Sequence, residues 1–183
     1  MKFKILFLIV SAVALASCVD IPDFSNTPTI YYNGVDKYTD SDSSSGTLQE
    51  TEIVVITIDF EDGDGDLGVN KDQLQDPNVP KRYLNAPNWN LEANYELITM
   101  QKQKDGSFKE FILTGDQAKF FDDLKPDGKP GPIKGKLDLY IRFPKFRSAV
   151  PTTLKFKIRI IDRALHISNQ IIETDEIVVP VLP

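Results

Sequence analysis

Apolar and polar residues alternate with a period of two along several stretches of this chain, which is the pattern of strands with one buried face. Leu137, Leu139, Ile141 and Phe143 share one side of a run whose other side holds Asp138, Tyr140 and Arg142. Leu154, Phe156, Ile158 and Ile160 repeat the pattern against Lys155, Lys157 and Arg159. Val54, Ile56, Ile58 and Phe60 do so again, with Ile53 and Val55 making the opposite side greasier, as in a central strand. Pro28 to Gly34 predicts a short first strand ended at Asn33-Gly34, and the Ser/Asp/Gly-rich run from Tyr38 to Gln49 predicts a mobile loop. Asp105-Gly106 predicts a two-residue hairpin turn that pairs Lys104 with Ser107 and sets Ile98 and Met100 on the face of Phe111 and Leu113. Helix signal is weak, with one or two turns offered over 115–124 from an Asp116 cap. Six or seven short strands without helical crossovers predict an all-β fold, an antiparallel β-sandwich forming one domain over 28–183.

The amino terminus follows a different rule. Lys2 and Lys4 precede twelve residues, Ile5 to Ala16, whose only polar member is Ser11. A membrane-crossing helix needs roughly 20 apolar residues, so 1–17 predicts a cleaved secretory signal. Leu15-Ala16-Ser17-Cys18 resembles the lipobox of bacterial lipoproteins, in which the cysteine is lipidated and becomes the new amino terminus. That resemblance implies a covalent lipid on Cys18 and attachment to a membrane through it, with 18–27, polar and broken by Pro22, as the tether. The alternative is an ordinary secreted protein with an incidental cysteine.

Composition narrows the function classes. The formal charge of −6 disfavours nucleic acid as a partner, and losing Lys2 and Lys4 with the leader leaves the remainder two charges more negative still. An acidic body is repelled by anionic head groups, so the lipid must hold it at the membrane. One Cys and one His remove disulfide frameworks, thiolate zinc sites and most triad chemistry.

Two further segments carry a resemblance. Ile56 to Gly68, ITIDFEDGDGDLG, is similar to small cell-envelope lipoproteins of the Bacteroidota type, in which a strand runs into DGDGDLG. Phe156 to Asn169, FKIRIIDRALHISN, resembles the penultimate strand and turn of bacterial immunoglobulin-like domains, with Leu165-His166 where those domains commonly carry Gly-Asn. The resemblance implies an immunoglobulin-like β-sandwich on an outer-membrane lipoprotein of the cell envelope, facing either the periplasm or the outside. It implies no activity, so a non-catalytic binding or structural accessory is the expected role.

The stretch Asp59 to Asp66 holds five acids in eight residues and no base. Carboxylates that close repel and raise one another's pKa, and a bound cation relieves this. Calcium takes six to eight oxygens, and in Asp62-Gly-Asp64-Gly-Asp66 every second side chain can turn inward. Counting Asp62 as position one of a calcium loop puts Asp64, Asp66 and Asn70 at three, five and nine. Position twelve is Gln73, where an EF-hand has a bidentate Glu, and a strand precedes the loop, so an EF-hand is rejected. Asp72 or a residue from another loop is expected to complete the set. The bland alternative is a solvated acidic turn.

Tyr83, Trp89 and Tyr95 lie in or beside a Pro/Asn-rich stretch, Asp76 to Asn94, and have two readings. They pin a long loop to the sandwich, or they form a ligand platform for a glycan or peptide, which makes a glycan-binding or glycan-processing lipoprotein the competing class. Phe120-Phe121 reads as a satellite core plug, His166 as a surface turn residue, and Asp162-Arg163 as a local ion pair or turn contact. Enzymatic chemistry is open only to a pair of carboxylates able to hydrolyse a glycosidic bond.

Overall fold

The computed structural model describes residues 22–43, 48–111 and 118–181. Two antiparallel sheets pack face to face. The first has the order β1-β2-β6, from β1 (Thr29–Asp42), β2 (Gln49–Asp62) and β6 (Ile133–Pro144). The second has the order β4-β3-β7-β8, from β3 (Tyr95–Lys102), β4 (Phe108–Phe111), β7 (Val150–Ile160) and β8 (Ile177–Val181). The two-residue β5 (Ala118–Lys119) pairs with the start of β3. The sequence periodicity selects the inward faces as expected: Val54, Ile56 and Ile58 from β2 meet Leu154, Phe156 and Ile158 from β7, and all six are fully buried. Burial of such side chains contributes about 1.5 to 3 kcal/mol each, enough to hold a core without disulfides.

Three local expectations are corrected. The first strand does not end at Asn33-Gly34. Tyr32 pairs with Ile58 and Gly34 with Thr57, so Asn33 is an extra residue in a β-bulge and the strand continues to Asp42. The bulge shifts the alternation by one and turns Val35 onto the core side beside its partner Ile56. The polar run after Tyr38 is largely strand, because Tyr38 to Asp42 pair in register with Ile53 to Gln49. It lies beyond the core with water on both sides, where a hairpin needs no apolar face. Residues 44–47 of the expected loop lie outside the described residues.

The β3–β4 hairpin is slipped by one residue from its expected register. Thr99 pairs with Phe111 and Lys102 with Phe108. The turn holds three residues, not two: the Gln103 amide donates to Ser107 O and the Gly106 amide to Gln103 O, with Gly106 at φ +84°. A three-residue turn with glycine in the left-handed region competes with the two-residue turn for the same Asp-Gly pair. A one-residue slip flips faces, so Leu97 and Thr99 are buried while Ile98 and Met100 look outward. Leu113 lies outside the described residues, as do 115–117 of the expected helical turns, and 118–124 hold β5 and irregular chain without a helix.

The strand directions gather one set of ends at a single pole. Thr29 at the start of β1 faces Glu61, Ile133 at the start of β6 faces Asp62, and Tyr95 at the start of β3 faces Ile160. Connections 63–94, 120–132 and 161–176 therefore lie at or leave from that pole. Between β2 and β3 the chain makes a 3₁₀ turn, Gln73–Gln75, and a short helix α1, Asn78–Leu84, with Pro80 tolerated in its first turn. No helix among the described residues is long and apolar enough to cross a membrane.

Asn169 closes the pole beside β1. Its side chain accepts from the Ile30 amide at 2.8 Å and donates to the Ile30 carbonyl at 2.8 Å. Asn169→Ala leaves both backbone groups unpaired beside the core, which is expected to cost ~2 kcal/mol. A thermal melt should drop by about 4 to 8 °C for a domain of this size; an unchanged melt would show that water replaces the side chain at no cost.

Candidate metal centre

The inward alternation of β2 does not stop at its last hydrophobic residue. Val54, Ile56, Ile58 and Phe60 are followed on the same side by Asp62, which is 0 % exposed. Strand β7 does the same: Leu154, Phe156, Ile158 and Ile160 are followed by Asp162, also 0 % exposed. Two strands from opposite sheets thus each deliver a carboxylate to the core side of the same pole. Of the acids before the loop, Asp59 and Glu61 fall on the outer face, taking the Asn33 amide and the Tyr31 hydroxyl.

The loop that follows β2 folds back over Asp62. Gly65 makes this possible at φ +71°, where a Cβ would lie 2.4 Å from the Gly131 carbonyl oxygen. The Asp66 amide donates to Asp62 Oδ2 at 3.0 Å, and Asp66 Oδ2 accepts from the Ala164 amide at 2.9 Å. Asp162 Oδ1 accepts from the His166 amide at 2.7 Å, and its Oδ2 lies 2.9 Å from His166 Nδ1. Each of Asp62, Asp66 and Asp162 offers an oxygen within 4.8 Å of the others. Two oxygens bound to one calcium at about 2.3 to 2.6 Å can be no more than about 5 Å apart, so this acidic triad could hold a metal ion.

The other oxygens strengthen that reading. Asp62 Oδ1, Asp64 Oδ1 and Asp66 Oδ1 are buried and have no hydrogen-bond donor among the described residues. Buried polar atoms are nearly always paired, and an ionised oxygen without a donor is costly. Burial, then the charge of Asp64, pushes the Asp62 carboxyl up to about 7. Burial, followed by the charges of Asp162 and Asp64, pushes Asp66 up to about 6. Asp162 is also raised, by burial, although His166 opposes the shift. Asp162 in turn raises His166. Arg163 offsets only part of the shift at Asp66, since its guanidinium is engaged with Asp123 at 2.9 Å and with the Gly68 carbonyl.

Of the expected set the structure brings Asp62 and Asp66 within ligand reach of one another, keeps Asp64 near enough for its charge to act on both, and leaves Asn70 and Asp72 outside. Asn70 is exposed and paired with Gln73: its Oδ1 accepts from the Gln73 amide at 2.8 Å, and Gln73 Oε1 accepts from the Asn70 amide. Asp72 is exposed at the head of the 3₁₀ turn. The chain turns away after Val69, so counting along one loop fails, and the residue that joins from elsewhere is Asp162. Its signal lay in the alternation of β7, one step past Ile160. The expected ion pair of Asp162 with Arg163 gives way to pairs with His166 and Asp123, while the turn contact is present, with the Leu165 amide donating to Asp162 O and Leu165 at φ +72°.

The aromatic platform is corrected. Tyr83, Trp89 and Tyr95 are 3 %, 2 % and 5 % exposed, so none offers a ring face to a ligand. Tyr83 and Trp89 pack with Val69, Ala86 and Ile161 in a second cluster that fastens 70–94 to the sandwich. Trp89 Nε1 donates to the Ala93 carbonyl at 2.8 Å, and the Arg159 guanidinium covers the ring at 4.9 Å. Tyr95 belongs to the main core beside Phe121, and Phe120 packs edge-on against Tyr83, so Phe120-Phe121 fills space in both clusters.

The chain matches no protein-family model, no curated protein and no solved structure.

The metal-free protein should lose stability as pH rises. Groups whose carboxyl pKa is higher in the folded state hold protons that the unfolded chain has lost, so their contribution is full below about pH 4 and falls away toward pH 7. His166, raised by its partner, acts in the same direction through a higher window. In chelator, melting should be roughly 2 to 4 °C lower or more at pH 8 than at pH 5, about 1 kcal/mol. Asp62→Asn, which removes the most shifted group, should flatten that slope; a slope of opposite sign in the native chain would refute the electrostatic reading of the pole.

Proposed function

We propose that this chain is a lipid-anchored protein of the cell envelope whose immunoglobulin-like sandwich is a non-catalytic binding or structural accessory, with calcium neutralising its acidic pole. The anchor rests on the leader and Cys18, which lie outside the described residues. The immunoglobulin-like reading is supported by the strand order: hairpins β1–β2, β3–β4 and β7–β8 stay within a sheet, while the other long connections cross between sheets.

The observation that carries the calcium reading is Asp62, fully buried, with an oxygen within 4.8 Å of one from each of Asp66 and Asp162 and no donor for Oδ1 among the described residues. The donor set is all oxygen and strongly negative, which suits a hard divalent cation. A carboxylate hydrolase is disfavoured by the same burial, because Asp62 and Asp162 have no surface with which to meet a sugar. Loss of the aromatic platform removes the support for a glycan partner, leaving an accessory whose partner is a protein or other envelope component.

At ~1 mM calcium, a dissociation constant of ~0.1 to 1 mM would stabilise the domain by roughly 0.4 to 1.4 kcal/mol. Melting should rise by a few degrees with calcium, and the rise should vanish in Asp64→Ala and in Asp162→Asn. A melt indifferent to calcium and to chelator would restore the solvated-turn alternative. Mass spectrometry of the native protein should find acyl mass on the peptide beginning at Cys18, and an unmodified cysteine there would remove the anchor.

A further inference from the structure

We propose that cation binding at the acidic pole is coupled to docking of residues 22–26, the segment through which the chain enters the domain, so that the ion controls how the sandwich is held by whatever precedes it. This deepens the calcium reading above and rests on it.

The coupling runs through Gly63, which lies between Asp62 and Asp64. Its amide donates to the Ser25 carbonyl at 2.9 Å. A Cβ on Gly63 would lie 2.3 Å from the Phe24 carbonyl oxygen and 2.8 Å from Asn26 Oδ1, so the segment rests directly on the backbone of the loop. Among the described residues the segment is otherwise little buried: Pro22, Asp23, Ser25, Asn26 and Thr27 are exposed, and only Phe24 is half-buried before the buried Pro28. The ligand end of the coupling is Asp62, which is fully buried and whose Oδ1 has no donor among the described residues.

Removing a cation from this pole leaves four carboxylates, Asp62, Asp64, Asp66 and Asp162, offset only in part by His166 at Asp162 and by Arg163 beside Asp66. Asp62 is fixed by the strand it ends and Asp162 by β7, which closes two residues before it, whereas Asp64 and Asp66 are carried by the loop. Relief of the repulsion therefore moves the loop, and Gly63 moves with it. Linkage then works in both directions: if the ion favours the docked segment, docking favours the ion by the same factor. Seven residues from Cys18 to Ser25 span at most about 25 Å, so on a lipid-anchored chain this docking would orient the acidic pole toward the membrane.

The test pairs calorimetry with limited proteolysis on the purified full chain in mild detergent. Chymotrypsin cleavage after Phe24 should be about 5-fold slower or more in 1 mM calcium than in chelator, normalised to a short peptide substrate. Gly63→Ala should abolish that protection and weaken calcium binding by the same factor. Calcium heat with unchanged cleavage at Phe24 would overturn the coupling while leaving the site intact, and absence of calcium heat would overturn both. Gly63→Ala binding calcium like the native chain while its segment is cleaved freely would also overturn the coupling. Should that variant fail to fold, the native comparison with and without calcium decides alone.

Discussion

Burial of like charge at one end of the sandwich is the constraint around which the rest of this structure is arranged. Taking a carboxylate out of water costs several kcal/mol unless donors or a counter-charge replace the lost hydration. Here Asp62 and Asp162 are fully buried, Asp66 lies against them, and Asp64 acts on all three through its charge. Backbone amides donate to one oxygen each of Asp62, Asp66 and Asp162, and His166 Nδ1 meets the second oxygen of Asp162, while Oδ1 of Asp62, Asp64 and Asp66 has no partner among the described residues. That imbalance can be met by protons, which the upward shifts express, or by a cation, which the spacing suits.

The pole is also where the two sheets are tied together by something other than the core. Asp62 ends a strand of one sheet and Asp162 follows a strand of the other, so a charge placed between them acts across the sandwich. The acidic loop is bound to its surroundings by backbone contacts on several sides. The Gly131 amide donates to Asp64 O, the Leu124 amide to Leu67 O, the Val69 amide to Phe121 O and the Arg163 amide to Asp66 O. A change of charge at the centre is therefore felt by the β5–β6 connection, by the turn after β7 and by the entering segment at once. Backbone contacts of this kind are short-ranged and stiff, which makes the loop a poor place to absorb repulsion gradually.

The excursion between β2 and β3 shows how the same end is kept rigid by apolar means. A stretch rich in proline and asparagine has little regular structure to hold it, so its aromatic side chains do that work from inside. Tyr83 and Trp89 close over Ile161, the residue next to Asp162, and Asn94 clamps both backbone groups of Phe121. Large rings bury more apolar area than any other side chain, and a long connection needs that area more than it needs an exposed binding face. The need to pin so long a stretch already favours the inward use from sequence, without fixing where each ring goes. Whether a ring faces inward depends on residues far away in the chain, here Ile161 and Arg159.

Alternation alone determined which faces of β2, β6 and β7 form the core, because a period of two leaves a side chain only one of two directions. It also carried, unread, the clue to Asp162, since the core face of β7 runs on into that residue as the core face of β2 runs on into Asp62. Three things were decided only in three dimensions. The slip of the β3–β4 hairpin arose from competition between turn types that share the same Asp-Gly pair. The bulge at Asn33 let a strand continue where local turn chemistry suggested a stop. The acidic cluster drew its missing member from a strand about 100 residues away in the chain, because ligand sets are assembled by proximity in space, and an antiparallel sandwich brings the ends of distant strands to one pole.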